Sequence, residues 1–132
     1  MAQLSCIVVT PENVALEAEA DFVALPLFDG EIGIAPDHSP MIGRLGYGEM
    51  RIRNAGNESR YYVDGGFVQV ANNVVSVLTG RAVPSNSVDG GVARKSLDAA
   101  LKKPIHTADL QAIRDRQIQQ ARAQIRIASR AR

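Results

Sequence analysis

From Leu4 to Leu78 the chain alternates between short apolar, β-branched stretches and turn residues, and no helix of useful length fits between the interruptions. Ser5–Thr10 is apolar and β-branched and is closed by Pro11–Asn13. Val14–Ala20 sets Val14, Leu16, Ala18 and Ala20 against Ala15, Glu17 and Glu19, the period of a half-buried strand. Asp21–Leu27 follows, and Asp29-Gly30 is a hairpin turn signal. Glu31–Ala35, Met41–Leu45, Glu49–Arg53, Arg60–Val63, Phe67–Ala71 and Val74–Leu78 complete the set. Their punctuation is Pro36-Asp37, Gly46–Gly48, Asn54–Asn57, Gly65-Gly66 and Asn72-Asn73. Short strands so regularly spaced predict an antiparallel sandwich or barrel rather than a parallel sheet. With no tryptophan and few aromatics, its core must be aliphatic.

After Pro84 the pattern changes to helix, so the chain is divided into a β domain over 1–84 and a helical hairpin over 85–132. A first helix is expected within Val88–Lys103. Gly90 and Gly91 each cost about 1 kcal/mol relative to alanine, which places its start near Val92. Lys102 and Lys103 suit its last turn and Pro104 stops it. Thr107 is the expected N-cap of a second helix reaching about Arg130, with Asp109 in its first turn. At 100° per residue Leu110, Ile113, Ile118, Ala121, Ile125 and Ala128 share one side; Arg116, Arg122, Arg126 and Arg130, with Gln119, share the other. The overall architecture expected is an all-β N-terminal sandwich plus an α-helical C-terminal hairpin, a helix–loop–helix.

The formal net charge of +1 hides a division. Residues 1–87 carry five basic and ten acidic side chains, a net of −5, whereas residues 88–132 carry ten basic and four acidic, a net of +6. A basic arm of this kind is expected to meet an acidic partner; a plain solvated helix surface is the alternative. Nucleic acid is disfavoured, because the arginines are not interleaved with aromatics and the first domain is acidic. A β-sandwich binding module with an oligomerising basic helix explains the architecture as well.

Several function classes are excluded by what the sequence lacks. It has no P-loop, no Gly-rich dinucleotide fingerprint and no metal-ligand spacing. Asp37-His38-Ser39 holds the residue types of a hydrolytic triad, but neighbours on an extended segment point to different sides and cannot align. No catalytic residue, metal or cofactor is therefore expected. His106 is a linker residue ahead of a helix cap. Cys6, the single cysteine, is read as a buried apolar residue in a chain from a reducing compartment. The N-terminus lacks the pattern of a signal peptide, and no window reaches the ~20 apolar residues of a membrane span. The expectation is a chain without direct membrane insertion.

The run Asp29-Gly30-Glu31-Ile32-Gly33-Ile34-Ala35-Pro36-Asp37-His38-Ser39-Pro40 resembles the G-E-x-G-I-x-P-x-H-x-P signature of the ε subunit of bacterial F-type ATP synthases. Asp64-Gly65-Gly66-Phe67-Val68-Gln69-Val70 is similar to that family's G-G-F-x-x-V segment, and Arg122-Ala123-Gln124-Ile125-Arg126-Ile127 to its R-A-x-x-R-[LI] segment. Val9-Thr10-Pro11, Asp21-Phe22-Val23 and Asn73–Leu78 also fit, in order and along the whole length. The resemblance implies a non-catalytic central-stalk subunit on the cytoplasmic face of the bacterial inner membrane, peripheral within the complex. Its implied partners are the γ subunit, the c-subunit ring and the α/β catalytic head. The resemblance further implies a sandwich that helps couple ion-driven rotation to ATP synthesis and a hairpin that can extend along γ and inhibit ATP hydrolysis.

On this resemblance Glu31 and His38 are presented at a sandwich end as the c-ring and γ contacts, shaped by Gly30, Gly33, Pro36 and Pro40. Arg116, Arg122, Arg126 and Arg130 are the expected contacts with an acidic loop of a β subunit. Some family members bind ATP through an [IL]-D-x-x-R-A motif and arginines of the second helix. Here Asp89, Arg122 and Arg126 match, but Val92 stands where the arginine belongs, and Gly90-Gly91 loosens the scaffold. Nucleotide sensing is therefore not expected.

Overall fold

The computed structural model describes residues 3–130. The chain divides into two compact units, Met1–Pro84 and Ser85–Arg132. The first holds eight strands: β1 (Leu4–Val9), β2 (Val14–Ala20), β3 (Phe22–Leu27), β4 (Gly30–Ile34), β5 (Met41–Asn54), β6 (Asn57–Ala71), β7 (Val74–Leu78) and β8 (Ala82–Pro84). They are hydrogen-bonded in the order β2-β1-β7-β6-β5-β3-β4, with β8 on β6. All pairs are antiparallel except β1 with β7, which run parallel.

β5 and β6 differ from expectation in an instructive way. Each was read as two short strands separated by glycines; each is one long strand of 14 or 15 residues. Met41–Leu45 pairs with Gly66–Val70, and Tyr47–Asn54 pairs with Asn57–Asp64. β7 pairs with the late half of β6, while β3 pairs mainly with the late half of β5 and β8 with the early half of β6. The two long strands thus bend from one layer into the other and fold a single sheet over on itself. Glycine makes the bend without breaking the ladder. Gly66 has φ +103, and a Cβ there would lie 1.8 Å from the Leu78 carbonyl oxygen. Between the layers sits an aliphatic core that includes Leu4, Val8, Val23, Leu25, Met50, Val68 and Val77, each almost fully buried. Each such side chain contributes about 1.5–3 kcal/mol by leaving water.

The second unit opens with a 3₁₀ turn, Ser85–Ser87, followed by α1 (Gly90–Leu101) and α2 (Ala108–Arg130). α1 starts at Gly90, two residues earlier than expected. The reason is its cap: the Asp89 carboxylate accepts from the backbone N–H of Gly91 at 2.8 Å and of Val92 at 3.1 Å. Capping offsets the glycine penalty in a first turn whose N–H groups have no helical partner. Lys102 is the C-cap and lies just past the last turn. Thr107 caps α2 through Oγ1, which accepts from the Leu110 N–H at 3.1 Å.

The helices run antiparallel. Gly90 faces Ala128 closely enough that a Cβ would lie 3.2 Å from the alanine methyl, and Lys103 Nζ donates to Gln117 Oε1 at 2.6 Å. Because α1 is about 18 Å long and α2 about 35 Å, the first turns of α2 run beyond α1. Leu110 and Ile113 are consequently exposed, although they share the apolar side. Ile125 is half-buried, and the fully buried positions of α2 are Ile118, Ala121, Ala123, Ile127 and Ala128.

Candidate functional site

The sandwich carries an apolar row on an outer face. Cross-strand pairing places Arg44 beside Phe67, Phe67 beside Leu78, Leu78 beside Val9, and Val9 beside Val14. Phe67 is 59% exposed, Leu78 51% and Val14 54%, and Ile42, one position along the face, is 76% exposed. Their neighbours in sequence, Val68, Val77 and Val8, point inward and are fully buried. A contiguous exposed row of this kind on a rigid sheet marks an interaction surface. It has a polar border: the Arg44 guanidinium lies 5.9 Å from the Phe28 ring centroid, and Glu17 stands across from Ile7 on the far side.

Next to this face lies the loop 35–40. Asp37 has φ +66 and is held by Asn73 of the β6–β7 turn. The Asp37 N–H donates to Asn73 Oδ1 at 2.6 Å, and Asn73 Nδ2 donates back to Asp37 Oδ1 at 3.2 Å. His38 Nδ1 lies 2.7 Å from the Ser39 carbonyl. A carbonyl only accepts, so Nδ1 is the donor in this contact.

Glu31 is not in that loop. It lies in β4 opposite Pro26, with about 10 Å of strand between it and Ile34. Its carboxylate pairs with Arg51 across β3, above Ala24, which is 1% exposed. Arg51 also approaches Glu58, and Arg60 bonds Glu58 at 2.9 Å and Glu49 at 3.4 Å. Hydrogen bonding to Glu58, with the charges of Glu58 and Glu49, pushes the Arg60 pKa up. The structure thus separates the two residues grouped from sequence: His38 borders the apolar face, and Glu31 belongs to an ionic ladder on β4, β5 and β6.

On α2, Arg116, Arg122, Arg126 and Arg130 are all exposed, and none forms an ion pair among the described residues. The helix spacing gathers them within 120° of its circumference. Asp89 is occupied as a helix cap, and Val92, 60% exposed, adds no cation to Arg122 and Arg126. Burial pushes the Cys6 thiol up to about 12, so it is a core side chain without nucleophilic character.

The apolar row and Asn73 were missed from sequence. Their signal was there: Phe67-Val68, Val77-Leu78 and Val8-Val9 are adjacent apolar pairs, and a strand must turn one of each pair outward.

Residues 3–85 match the model of the ATP synthase delta/epsilon chain β-sandwich domain. The chain belongs to that family. The ATP synthase epsilon chain of Rhodopirellula baltica is 51% identical over 123 residues, spanning 93% of this chain and 96% of that one. The sodium-ion-specific epsilon chain of Propionigenium modestum is 30% identical over 97% of this chain and 95% of its own length. The family likeness therefore extends through the hairpin and makes this an ATP synthase epsilon subunit. In solved structures the same fold occurs in a chain of the Euglena gracilis mitochondrial ATP synthase in rotational state 1. That match has a TM-score of 0.83 at 20% identity and covers 93% of this chain and 79% of that chain. A chain in the central stalk and c-ring structure of the Tetrahymena thermophila mitochondrial enzyme matches with a TM-score of 0.72 at 13% identity, covering 95% and 96%. No described helix is long and apolar enough to cross a membrane.

Proposed function

We propose that this epsilon subunit is part of the rotor, seated on the γ subunit through the apolar row of its sandwich and restraining ATP hydrolysis through its hairpin. The observation that carries the reading is the row itself: Phe67, Leu78, Val14 and Ile42 are exposed on a face whose inward partners form a packed core. These side chains are 51–76% exposed, so covering the exposed part is worth about 1–2 kcal/mol each. A central-stalk position agrees with the Tetrahymena neighbour, a chain of the central stalk and c-ring structure. Glu31, with its Arg51 partner, then faces the polar loops of the c ring, and the complex holds the subunit peripherally at the cytoplasmic face of the bacterial membrane. The sandwich transmits rotation to the α/β head, where the chemistry is done.

The hairpin carries the regulatory part. Its helices bury little beyond alanine, so the arms are held together by a small apolar area and can leave their resting state. Once extended, Arg116, Arg122, Arg126 and Arg130 meet an acidic loop of the head. Each exposed pair is worth only ~0.2–1 kcal/mol. If additive, the four shift a two-state equilibrium by roughly four- to nearly a thousandfold, and salt weakens the shift. No role is assigned to ATP, because Val92 stands where the motif needs a cation and Gly90-Gly91 loosens the scaffold.

Truncation after Lys103 tests the inhibitory role. In the assembled complex at low salt, the truncated subunit should raise ATP hydrolysis above that of the full chain. Equal hydrolysis by the two complexes rules the role out.

A further inference from the structure

We propose that Asn73 is a positioning residue which joins the His38 loop to the apolar face, so that the two form a single docking surface. The inference rests on the reading that this face seats the γ subunit, and it assigns to Asn73 the task of holding the surface in shape.

Three segments meet at this one residue. Its backbone carbonyl accepts from the Ser5 N–H of β1 at 2.8 Å. Its side-chain amide makes the reciprocal pair with Asp37, thirty-six positions away in sequence, through Oδ1 at 2.6 Å and Nδ2 at 3.2 Å. Asp37 sits at φ +66, a conformation that an aspartate adopts at some cost and keeps only when its surroundings hold it. The Asn73 amide satisfies both the backbone and the side chain of Asp37 and so supplies that hold. His38 is the next residue, and Ile42 follows at the start of β5, so the clamp fixes the entry to the exposed face.

Asn72 provides the comparison. Asn72 and Asn73 form the two-residue turn between Ala71 and Val74, with φ values of +52 and +61. Both are asparagines in the left-handed region, which the turn alone explains. Only Asn73 reaches across to the loop. Asn72 is exposed and makes no side-chain hydrogen bond among the described residues. A turn has no need of the Asn73 amide, since glycine adopts the same backbone freely. Asn73→Gly therefore keeps the turn and removes the clamp alone.

The test measures binding of the full chain to ATP synthase depleted of this subunit, alongside amide exchange and thermal melting. Asn73→Gly should melt several degrees below the wild type while staying folded at the assay temperature, speed exchange at the Asp37 amide and weaken binding by about five- to thirtyfold, the effect of a loop only partly held in its competent form. Asn72→Gly should bind like the wild type. In a His38→Ala background Asn73→Gly should weaken binding much less, a coupling that a general loss of stability does not produce. If Phe67→Glu and His38→Ala weaken binding while Asn73→Gly does not, the positioning role is overturned and the docking face stands. Unchanged binding by Phe67→Glu and His38→Ala overturns the docking face, and the proposal with it. Slow Asp37 exchange in Asn73→Gly also overturns the proposal, because no clamp was then lost.

Discussion

Replacing Gly66 with alanine puts a methyl group where β6 and β7 come closest. The new Cβ would lie 1.8 Å from the Leu78 carbonyl oxygen, 2.8 Å from its carbon and 2.9 Å from Thr79 Cα. All three are backbone atoms, so no side chain can rotate away. The strands must separate, which sacrifices the ladder between Phe67 and Leu78 at about 0.5–1.5 kcal/mol per hydrogen bond. Alanine at φ +103 adds about 1–3 kcal/mol of backbone strain. A total of roughly 2–4 kcal/mol follows, which lowers the melting temperature of a domain this size by about 10–25 °C. Gly65→Ala is the control. Its φ of +70 carries a similar strain, but the nearest atom is a Tyr47 ring carbon at an ordinary 3.4 Å. All three tyrosines lie in β5 and β6, so tyrosine fluorescence follows the sandwich and not the hairpin. If Gly66→Ala melts no lower than Gly65→Ala, the account of how β6 bends between layers is wrong.

Asp89→Ala should destabilise α1 by about 0.5–2 kcal/mol and speed amide exchange in its first turn, with the tyrosine melt unmoved; protected α1 amides would refute the cap. Arg51→Met should cost at most ~1 kcal/mol, because the Arg51–Glu31 pair is 30% and 56% exposed, and the loss should shrink in molar salt. A larger, salt-independent loss would mean that Arg51 acts through packing. Cys6 should resist alkylation at pH 8 in the folded chain and react on unfolding. Between its ordinary value of 9.0 and about 12, the folded thiol keeps a proton that the unfolded chain releases. Stability contributed by Cys6 is thus intact below pH 9 and falls by about 1.4 kcal/mol per pH unit above it. A flat stability profile over that range would contradict the burial of Cys6.

Strand positions were legible because alternation and turn residues are local properties. The long bends in β5 and β6 were not, since Gly46–Gly48 and Gly65-Gly66 look the same whether a strand stops or changes layer. What decides between them is a neighbour distant in sequence, the Leu78 carbonyl in the case of Gly66. The start of α1 was misplaced because glycine propensity was weighed without the Asp89 cap. Leu110 and Ile113 were placed on the apolar side correctly, yet burial depends on how far α1 extends, which periodicity does not encode. Glu31 and His38 were grouped through the signature run that holds both; in the fold Glu31 pairs with Arg51 from β4, whereas His38 sits in the loop that Asn73 holds. The Asn73 clamp was illegible for the opposite reason, as it joins residues that only the fold brings together.

Co-purification tests the central claim most directly. A tagged copy of this chain, recovered from its host under mild conditions, should bring the γ subunit and the α/β head with it. Phe67→Glu should lose them while keeping the wild-type tyrosine melt. Recovery of the tagged chain alone, or of a full complex by Phe67→Glu, would contradict a rotor subunit seated through its apolar face.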